Sequence, residues 1–413
     1  MGLEGLKSNT QRLTALLAIA ALSVLAMIGC GGQVNTSFAP APVSSAQALS
    51  IDSIVNAEIA KNNVPGVQLA ISRGGRLIYS KAYGFSDLTI RAPMTTVSTM
   101  RIGSVSKQFT TAAIMLLQQD GLLSIDDKVS RWIPELTFGD RITLRQLGNQ
   151  DSGMPGDDIV AFGTPTGVGV TITQASELAR LNDLYATGKL SAPGIRFEYA
   201  NVNFYLLSIV IERASKMDLP TFEQNRIFSV LGMDATYSTE HRADARLATG
   251  YLRNLGTDPW GTYPELTYGL LFGAGNLIST AEDLVRWDNG LATLLSPQSI
   301  QTYLTVPVLP NNSPTSYAFG INSYRGSRSH NGETLGFHAF NIVYADGIAI
   351  IMLGNSRECG LSFFIPENLA TVIHDKIAPP ADYPTTFPSP PPPTPSPSQP
   401  PFFIPPSTNF PCT

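Results

Sequence analysis

Three short stretches of the chain hold side chains whose types and spacing suit nucleophilic chemistry. In "GSVSKQFTTAAIMLLQQDG", residues 103 to 121, Ser104 and Lys107 stand three apart at the start of a helical pattern. At 3.6 residues per turn they share nearly one face, about 4.5 Å apart along the axis. A serine hydroxyl is a poor nucleophile until a base stands within hydrogen-bond reach. A lysine can be that base, or tune one, when burial and the positive end of the helix dipole lower its pKa. On a solvated surface the same placement only costs a few tenths of a kcal/mol, up to ~1. The helix start also offers backbone N–H groups to a developing oxyanion. In "RFEYANVNFYLLSIVIERAS", Tyr199 and Asn201 stand just before an apolar helix. Tyr199 can relay protons beside the lysine, because a neighbouring ammonium lowers a phenol's pKa. Asn201 can bond the lysine and a substrate carbonyl. In "RSHNGETLGFHAF", His330 can add a polar or cationic group to a cleft, Gly332 can let a substrate backbone lie alongside, and the N–H of Glu333 can be a second oxyanion donor.

Taken singly, each stretch has a plainer explanation. Ser104 can be an N-cap with Lys107 in solvent, and Asn201 or Asn203 can cap the second helix while Tyr199 packs. Asn331-Gly332 is also a good type I′ hairpin signal. Other catalytic signatures are missing. No serine has the Gly-x-Ser-x-Gly flanks of a nucleophile elbow. There is no HExxH, no Walker A loop and no GxGxxG, and Gly273-x-Gly275 lacks its third glycine. Zinc peptidases, common lipases, nucleotide hydrolases and dinucleotide oxidoreductases are thereby set aside.

The elements that must position these residues follow from periodicity. "SIDSIVNAEIAKNN" carries Ile51, Ile54, Val55 and Ile59 at helical spacing and ends before Pro65. "GVQLAIS" and "LIYSKAYG" flank Gly74-Gly75, a tight hairpin signal. From about 122 to 310 the chain is Leu- and Ala-rich with helical period, clearest in "FYLLSIVIERAS" and "STAEDLVRWDNGLATLL". Strand patterns return in "YAFGINSYR", "FHAFNIVYA" and "GIAIIMLGN", the last two joined at Asp346-Gly347, and a closing helix carries Leu369, Val372, Ile373 and Ile377. The simplest assembly is an α+β fold, an α/β/α sandwich. Early and late strands share one antiparallel sheet between terminal helices, with the helical region inserted beside it. A groove between sheet and insertion is the expected site.

The ends of the chain read differently from its body. Lys7 and Arg12 precede "LTALLAIAALSVLAMIGCGG", the layout of a bacterial secretory signal over residues 1–29. The ending "MIGC" looks like a lipobox, in which Cys30 is acylated and tethers the protein to a membrane face. An ordinary signal with a chance cysteine is the plainer alternative. Residues 30–48 read as a flexible linker, 49–378 as the folded body, and 379–413, dominated by "PSPPPPTPSPSQPP", as an extended polyproline-like tail. Cys359 and Cys412 remain, free or loosely paired. With no Cys/His cluster and four histidines, neither a metal nor a cofactor is expected. A net charge of -5 without a basic run after the first residues argues against nucleic acid as a partner, and no obligate protein partner is implied.

The three motifs, in this order and context, resemble the serine β-lactamase and penicillin-binding-protein superfamily. The similarity spans about residues 50 to 378 and includes "RIGSVSKQFTTAAIMLL", "LRQLGNQDSGMP" and "GAGNLISTAEDLVRW". The branch looks like that of class C β-lactamases, D-alanyl-D-alanine carboxypeptidases, D-aminopeptidases and family VIII esterases. The resemblance implies Ser104 as acylated nucleophile, Lys107 and Tyr199 as the base pair, Asn201 as a substrate contact, and an oxyanion hole from the N–H groups of Ser104 and Glu333. It implies a serine hydrolase acting through an acyl-enzyme on small esters, D-amino-acid amides or peptidoglycan-derived substrates, with β-lactams possible. An acyl-accepting sensor of the cell envelope without efficient turnover is the alternative. His330-Asn331-Gly332 stands where class C β-lactamases carry Lys-Thr-Gly, and "NQDSG" replaces a common "THTSG". Both departures point away from efficient antibiotic hydrolysis.

Overall fold

The computed structural model describes residues 41–156, 173–238, 244–254, 260–262, 271–310, 315–334, 336–359 and 366–378, all within one compact unit spanning Pro40–Thr413. The signal stretch, Cys30, the proline-rich segment and Cys412 lie outside the described residues.

The first helix, α1 (Ser45–Asn62), begins inside the stretch read as linker. Its start is fixed by Ser44, whose side chain accepts from the Gln47 N–H while the Gln47 side chain accepts from the Ser44 N–H. That capping box satisfies two orphan donors and outweighs the small-residue composition around it. Strands β1 (Gly66–Arg73) and β2 (Arg76–Asp87) then form the hairpin, with Gly74 and Gly75 both at positive φ, as a type I′ turn requires. A two-residue strand, β3 (Ala92–Pro93), follows at the edge.

Four strands return late: β4 (Asn322–Tyr324), β5 (Ser327–Thr334), β6 (Phe337–Val343) and β7 (Ile348–Gly354). The sheet order is β3-β2-β1-β7-β6-β5-β4, antiparallel throughout. The earliest hairpin and the latest strand of this sheet therefore meet, β1 against β7, as expected from the sequence. Only Asn322–Tyr324 of "YAFGINSYR" is strand. Asn331 and Gly332 are not a turn: they lie within β5, opposite Phe340 and Ala339 of β6.

Side chains alternate across the sheet. One face buries Leu69, Ile71, Ile350 and Met352 against Ile51 and Val55 of α1 and Leu369 and Ile373 of α5 (Pro366–Ile377). The other buries Ala70, Ala339, Ile351 and Leu353 in the larger core, with α2 (Ser106–Gln119), α3 (Asn201–Ser215) and α4 (Ala281–Leu294). The result is the α/β/α sandwich with its inserted region. That region is less uniformly helical than its composition suggests. Leu277–Ser279 pairs with both Met100–Arg101 and Tyr237–Ser238 in a separate small sheet. Pairing partners far apart in sequence leave no local periodicity to read.

Helix α2 is buried on every side from Ser106 to Leu117, so it runs through the core instead of along its surface. The chain enters it through a 3-10 turn, Gly103–Val105, so the α-helix proper starts two residues after Ser104. Gly103 takes φ +48, and a Cβ there would fall 2.7 Å from the backbone N and O of Glu333. The turn and β5 are thus in direct backbone contact.

Candidate active site

Ser104 sits on that 3-10 turn, and its side chain caps no helix. Lys107, one turn on, has no exposed surface. Its Nζ reaches Ser104 Oγ at 2.9 Å, Asn201 Oδ1 at 2.6 Å and the Ala274 carbonyl at 2.8 Å. The N-cap-and-surface explanation for this pair is therefore excluded. The three partners also bear on chemistry. An ammonium satisfies all three as acceptors. A neutral amine has two N–H donors and a lone pair, and the two carbonyl oxygens can only accept. Of these three partners, the Ser104 hydroxyl is the one able to donate to the lone pair of the neutral form. The geometry accommodates both protonation states without losing a hydrogen bond, as a proton shuttle requires.

The Ala274 carbonyl was not foreseen. It belongs to a turn held on α2: Thr110 Oγ1 donates to Gly273 O at 2.6 Å, and Leu277 N–H donates to Ser106 Oγ at 3.1 Å. Gly273 stands at φ +75, and the Asn276 side chain accepts its N–H at 2.9 Å. The signal was present as Gly273-Ala274-Gly275-Asn276, but a backbone acceptor has no side-chain signature.

Asn201 is the first residue of α3, and neither it nor Asn203 caps that helix. The half-buried Tyr199 ring lies 4.8 Å from Lys107 Nζ, and the Phe204 ring lies 5.4 Å away on the same nitrogen. Tyr199 and Asn201 thus flank the lysine.

Of the two characters expected of it, polar or cationic, His330 is left by its surroundings with the polar one. It is buried, and that burial, with the charge on Lys107, pushes its pKa down to about 3. It is a neutral imidazole, not a cationic group at a cleft. Its Nδ1 stands 2.5 Å from the Asn331 carbonyl, which can only accept, so Nδ1 carries the proton. Nε2 is left to accept from the Tyr317 hydroxyl at 2.9 Å. Gly332 lies against the nucleophile's turn. A Cβ there would fall 1.9 Å from Ile102 O and 3.0 Å from Ser104 N. The missing side chain makes room for the nucleophile's own turn. Glu333 contributes its backbone N–H to the same junction. Its carboxylate alternates to the Phe340 face of the sheet, where it meets Arg357 Nε at 3.3 Å and lies 3.8 Å from His338 Nδ1. His338, also buried, is held at about 4 and stays neutral.

Two further residues border the site. Tyr317 is buried and packs edge-on to Tyr199, ring centroids 6.0 Å apart. Gln150, in "NQDSG", is fully buried at φ +61 and accepts from the Ala200 N–H at 3.1 Å. Its neighbour Asp151 lines a separate groove of about 580 Å³ with Lys128, Arg141 and Arg145; none of Ser104, Lys107, Tyr199 or His330 lines that groove. Among the described residues no three His, Cys, Asp or Glu side chains converge as metal ligands do.

Comparisons with known proteins show the family and the fold. The profile of the family described as Beta-lactamase matches residues 51–360. A penicillin-binding protein of Bacillus subtilis is 29% identical over 320 residues, covering 72% of this chain and 69% of the relative. A D-aminopeptidase of Cereibacter sphaeroides is 30% identical over 327 residues, covering 75% of this chain and 61% of the relative. Among solved structures, the D-amino acid amidase of Ochrobactrum anthropi superposes with a TM-score of 0.68 at 24% identity, covering 81% of this chain and 98% of that one, a likeness of fold.

Proposed function

The chain belongs to the beta-lactamase family of serine hydrolases, and from that premise we propose that it is a hydrolase that acylates Ser104 and releases the acyl group to water. The observation that carries the reading is the buried amine of Lys107, 2.9 Å from the Ser104 hydroxyl and bonded as well to two acceptor-only carbonyls.

In the proposed cycle Ser104 Oγ attacks an ester or amide carbonyl while its proton passes to the Lys107–Tyr199 pair. Lys107 keeps the phenol of Tyr199 in a positive field, which favours the phenolate a base needs. The oxyanion is met by the N–H groups of Ser104 and Glu333, which the backbone contact between the 3-10 turn and β5 brings to one junction. Removing one such donor elsewhere costs about 10²–10³ in kcat, so that junction carries much of the rate. The same pair then returns the proton to the leaving group and activates water for deacylation.

Small esters and D-amino-acid amides are the favoured substrates. A neutral, buried His330 supplies no positive charge to the carboxylate that β-lactams carry. Relatives whose names include a D-aminopeptidase and a penicillin-binding protein support the amide and acyl-transfer chemistry. Export with a lipid tether at Cys30 belongs to the same proposal and is supported by residues 1–30 alone. Incorporation of labelled fatty acid into the full chain, lost in Cys30→Ser, tests it.

The central test is covalent labelling by a fluorophosphonate, followed by steady-state rates on nitrophenyl esters, D-alanyl peptides and a chromogenic cephalosporin. Labelling that persists in Ser104→Ala overturns the assignment. Acylation without release in a mass-spectrometry time course gives the sensor instead of the enzyme.

A further inference from the structure

Glu333, whose N–H faces the oxyanion junction, stands at the less supported end of its strand. Among the described residues, β4 pairs with β5 no further than Ser329, so from Asn331 to Thr334 the strand is paired on one edge only, with Phe337–Phe340 of β6. The other edge meets the nucleophile's turn, where Gly103 lies against the Glu333 backbone. Glu333 is also one residue from the end of the β5–β6 pairing, which closes at Thr334 opposite Phe337. The ends of paired elements open more readily than their centres. An oxyanion donor, in contrast, has to stand within 2.7–3.1 Å of the developing charge.

The Glu333 side chain reaches a second support. Its Oε2 forms an ion pair with Arg357 Nε at 3.3 Å, and the two side chains are only 8% and 7% exposed. Arg357 does not belong to the seven-stranded sheet. It lies on the short strand Ser356–Cys359, which pairs in parallel with Tyr251–Asn254 in a separate sheet. That platform is anchored away from the nucleophile. The fully buried Asn355 donates through Nδ2 to the carbonyls of Phe85, Ser86 and Thr249 at 3.2, 3.3 and 2.9 Å. The Tyr251 N–H is shared between Asn355 O at 3.1 Å and Gly336 O at 3.3 Å, and the second of these lies on the turn between β5 and β6. Burial draws the Arg357 pKa down and the Glu333 charge opposes that draw, while a guanidinium stays protonated throughout. His338, the cross-strand partner of Glu333, is neutral and brings no charge to the carboxylate.

We infer that Arg357 is a positioning residue: through the buried Glu333 carboxylate it tethers the end of β5 to the neighbouring small sheet and so holds the Glu333 N–H at the oxyanion junction beside Ser104. The inference rests on the acyl-enzyme reading above. It gives the Glu333 side chain a task separate from that of its backbone, and it brings in a residue from a sheet that supplies no other part of the site. Arg357→Met removes the charge and keeps most of the bulk. Glu333→Gln removes the other charge and keeps the backbone donor. Either change breaks the ion pair, and the double variant is neutral at both positions. The strand end is then held by its β6 ladder alone, and the N–H is free to drift from the oxyanion.

The experiment measures kcat and KM of the full chain on a nitrophenyl ester and on the matching thionoester, with thermal melts of each variant. Sulfur draws less from N–H donors than oxygen does, so a displaced donor penalises the ester more than the thionoester. Arg357→Met and Glu333→Gln are each expected to lower kcat on the ester by about tenfold to a hundredfold with KM within about threefold, the pattern of a misplaced transition-state contact and not of lost binding. The ester-to-thionoester ratio of kcat is expected to fall by about tenfold in both. The double variant is expected to fall no further than the slower single variant, because all three lose the same contact. A purely structural role moves the melts and leaves the ratio at the wild-type value. The inference is overturned if either single variant, folded, keeps kcat within about twofold or keeps the wild-type ratio. Where a single variant does not fold, the neutral double variant decides by the same two criteria. Wild-type protein that fails to label at Ser104 takes down the acyl-enzyme reading and the tether with it. Active wild type with indifferent variants takes down the tether only.

Discussion

Gly332→Ala is the sharpest probe of how closely β5 and the nucleophile's turn are fitted. The added Cβ would fall 1.9 Å from Ile102 O, against the 3.0 Å below which real Cβ atoms essentially never approach. Relieving that overlap demands a shift of about 1.1 Å. The strand cannot easily give, since Gly332 is paired with Ala339 inside the sheet. The turn gives instead, although the Ile102 N–H is bonded to Leu277 O at 3.0 Å. Lys107 is fixed by α2, Asn201 and Ala274 and does not follow. Much of the shift therefore falls on the 2.9 Å contact between Lys107 and Ser104, stretching it towards or beyond the limit of a hydrogen bond. A misplacement of about 1 Å costs roughly 10²-fold in rate, and overpacking costs about 1–3 kcal/mol in stability. The assay is the second-order rate of fluorophosphonate labelling, with a thermal melt alongside. Gly261→Ala is the control, since its Cβ meets only Leu252 O at an ordinary 3.7 Å. Should Gly332→Ala label within about threefold of the wild type while melting close to it, the turn is not held against β5 as described, and the account of the oxyanion junction fails.

Other expected outcomes follow from the same contacts. Lys107→Met, similar in volume but without the amine, is expected to lower the labelling rate by about 10²–10⁴, the usual range for a lost acid–base group; a fall under about tenfold would assign the proton to another group. His330→Gln keeps an acceptor for Tyr317 and His330→Leu does not, so the glutamine variant is expected to retain the higher ester turnover; equal rates would show that the Tyr317 contact carries nothing. Glu223, buried with one oxygen unpartnered, has its pKa pushed by desolvation from 4.5 up to about 8. The native state thus keeps a proton that the unfolded chain has released across that window, and the stability it contributes is lost as pH rises towards 8. The loss is on the order of a few kcal/mol at 1.36 per pH unit. Glu223→Gln is expected to remove that part of the pH dependence in denaturant melts between pH 5 and 9, and an unchanged slope would refute it.

Local spacing made much of the fold legible. Gly74-Gly75 and Asp346-Gly347 marked real hairpins, and the periodic stretches at 281–294 and 366–377 are helices. The start of α1 was hidden because a capping box at Ser44–Gln47 competes with composition that reads as linker. The small sheet around Leu277–Ser279 was hidden because its partners lie about 40 and 180 residues away, with only two or three residues in each strand.

In the site, a separation of three put Ser104 and Lys107 within one turn of each other, a local fact, but the spacing fitted a solvated lysine equally well until burial closed the contact. The sequence by itself also named the two other segments that come to that pair. Tertiary structure alone decided what those segments do there. Burial, invisible in a sequence, made His330 neutral and turned it to Tyr317. Backbone packing gave Gly332 to the nucleophile's turn and brought the Ala274 carbonyl to Lys107. These are consequences of which surfaces exclude water and which atoms meet across long loops, and a chain read residue by residue carries neither.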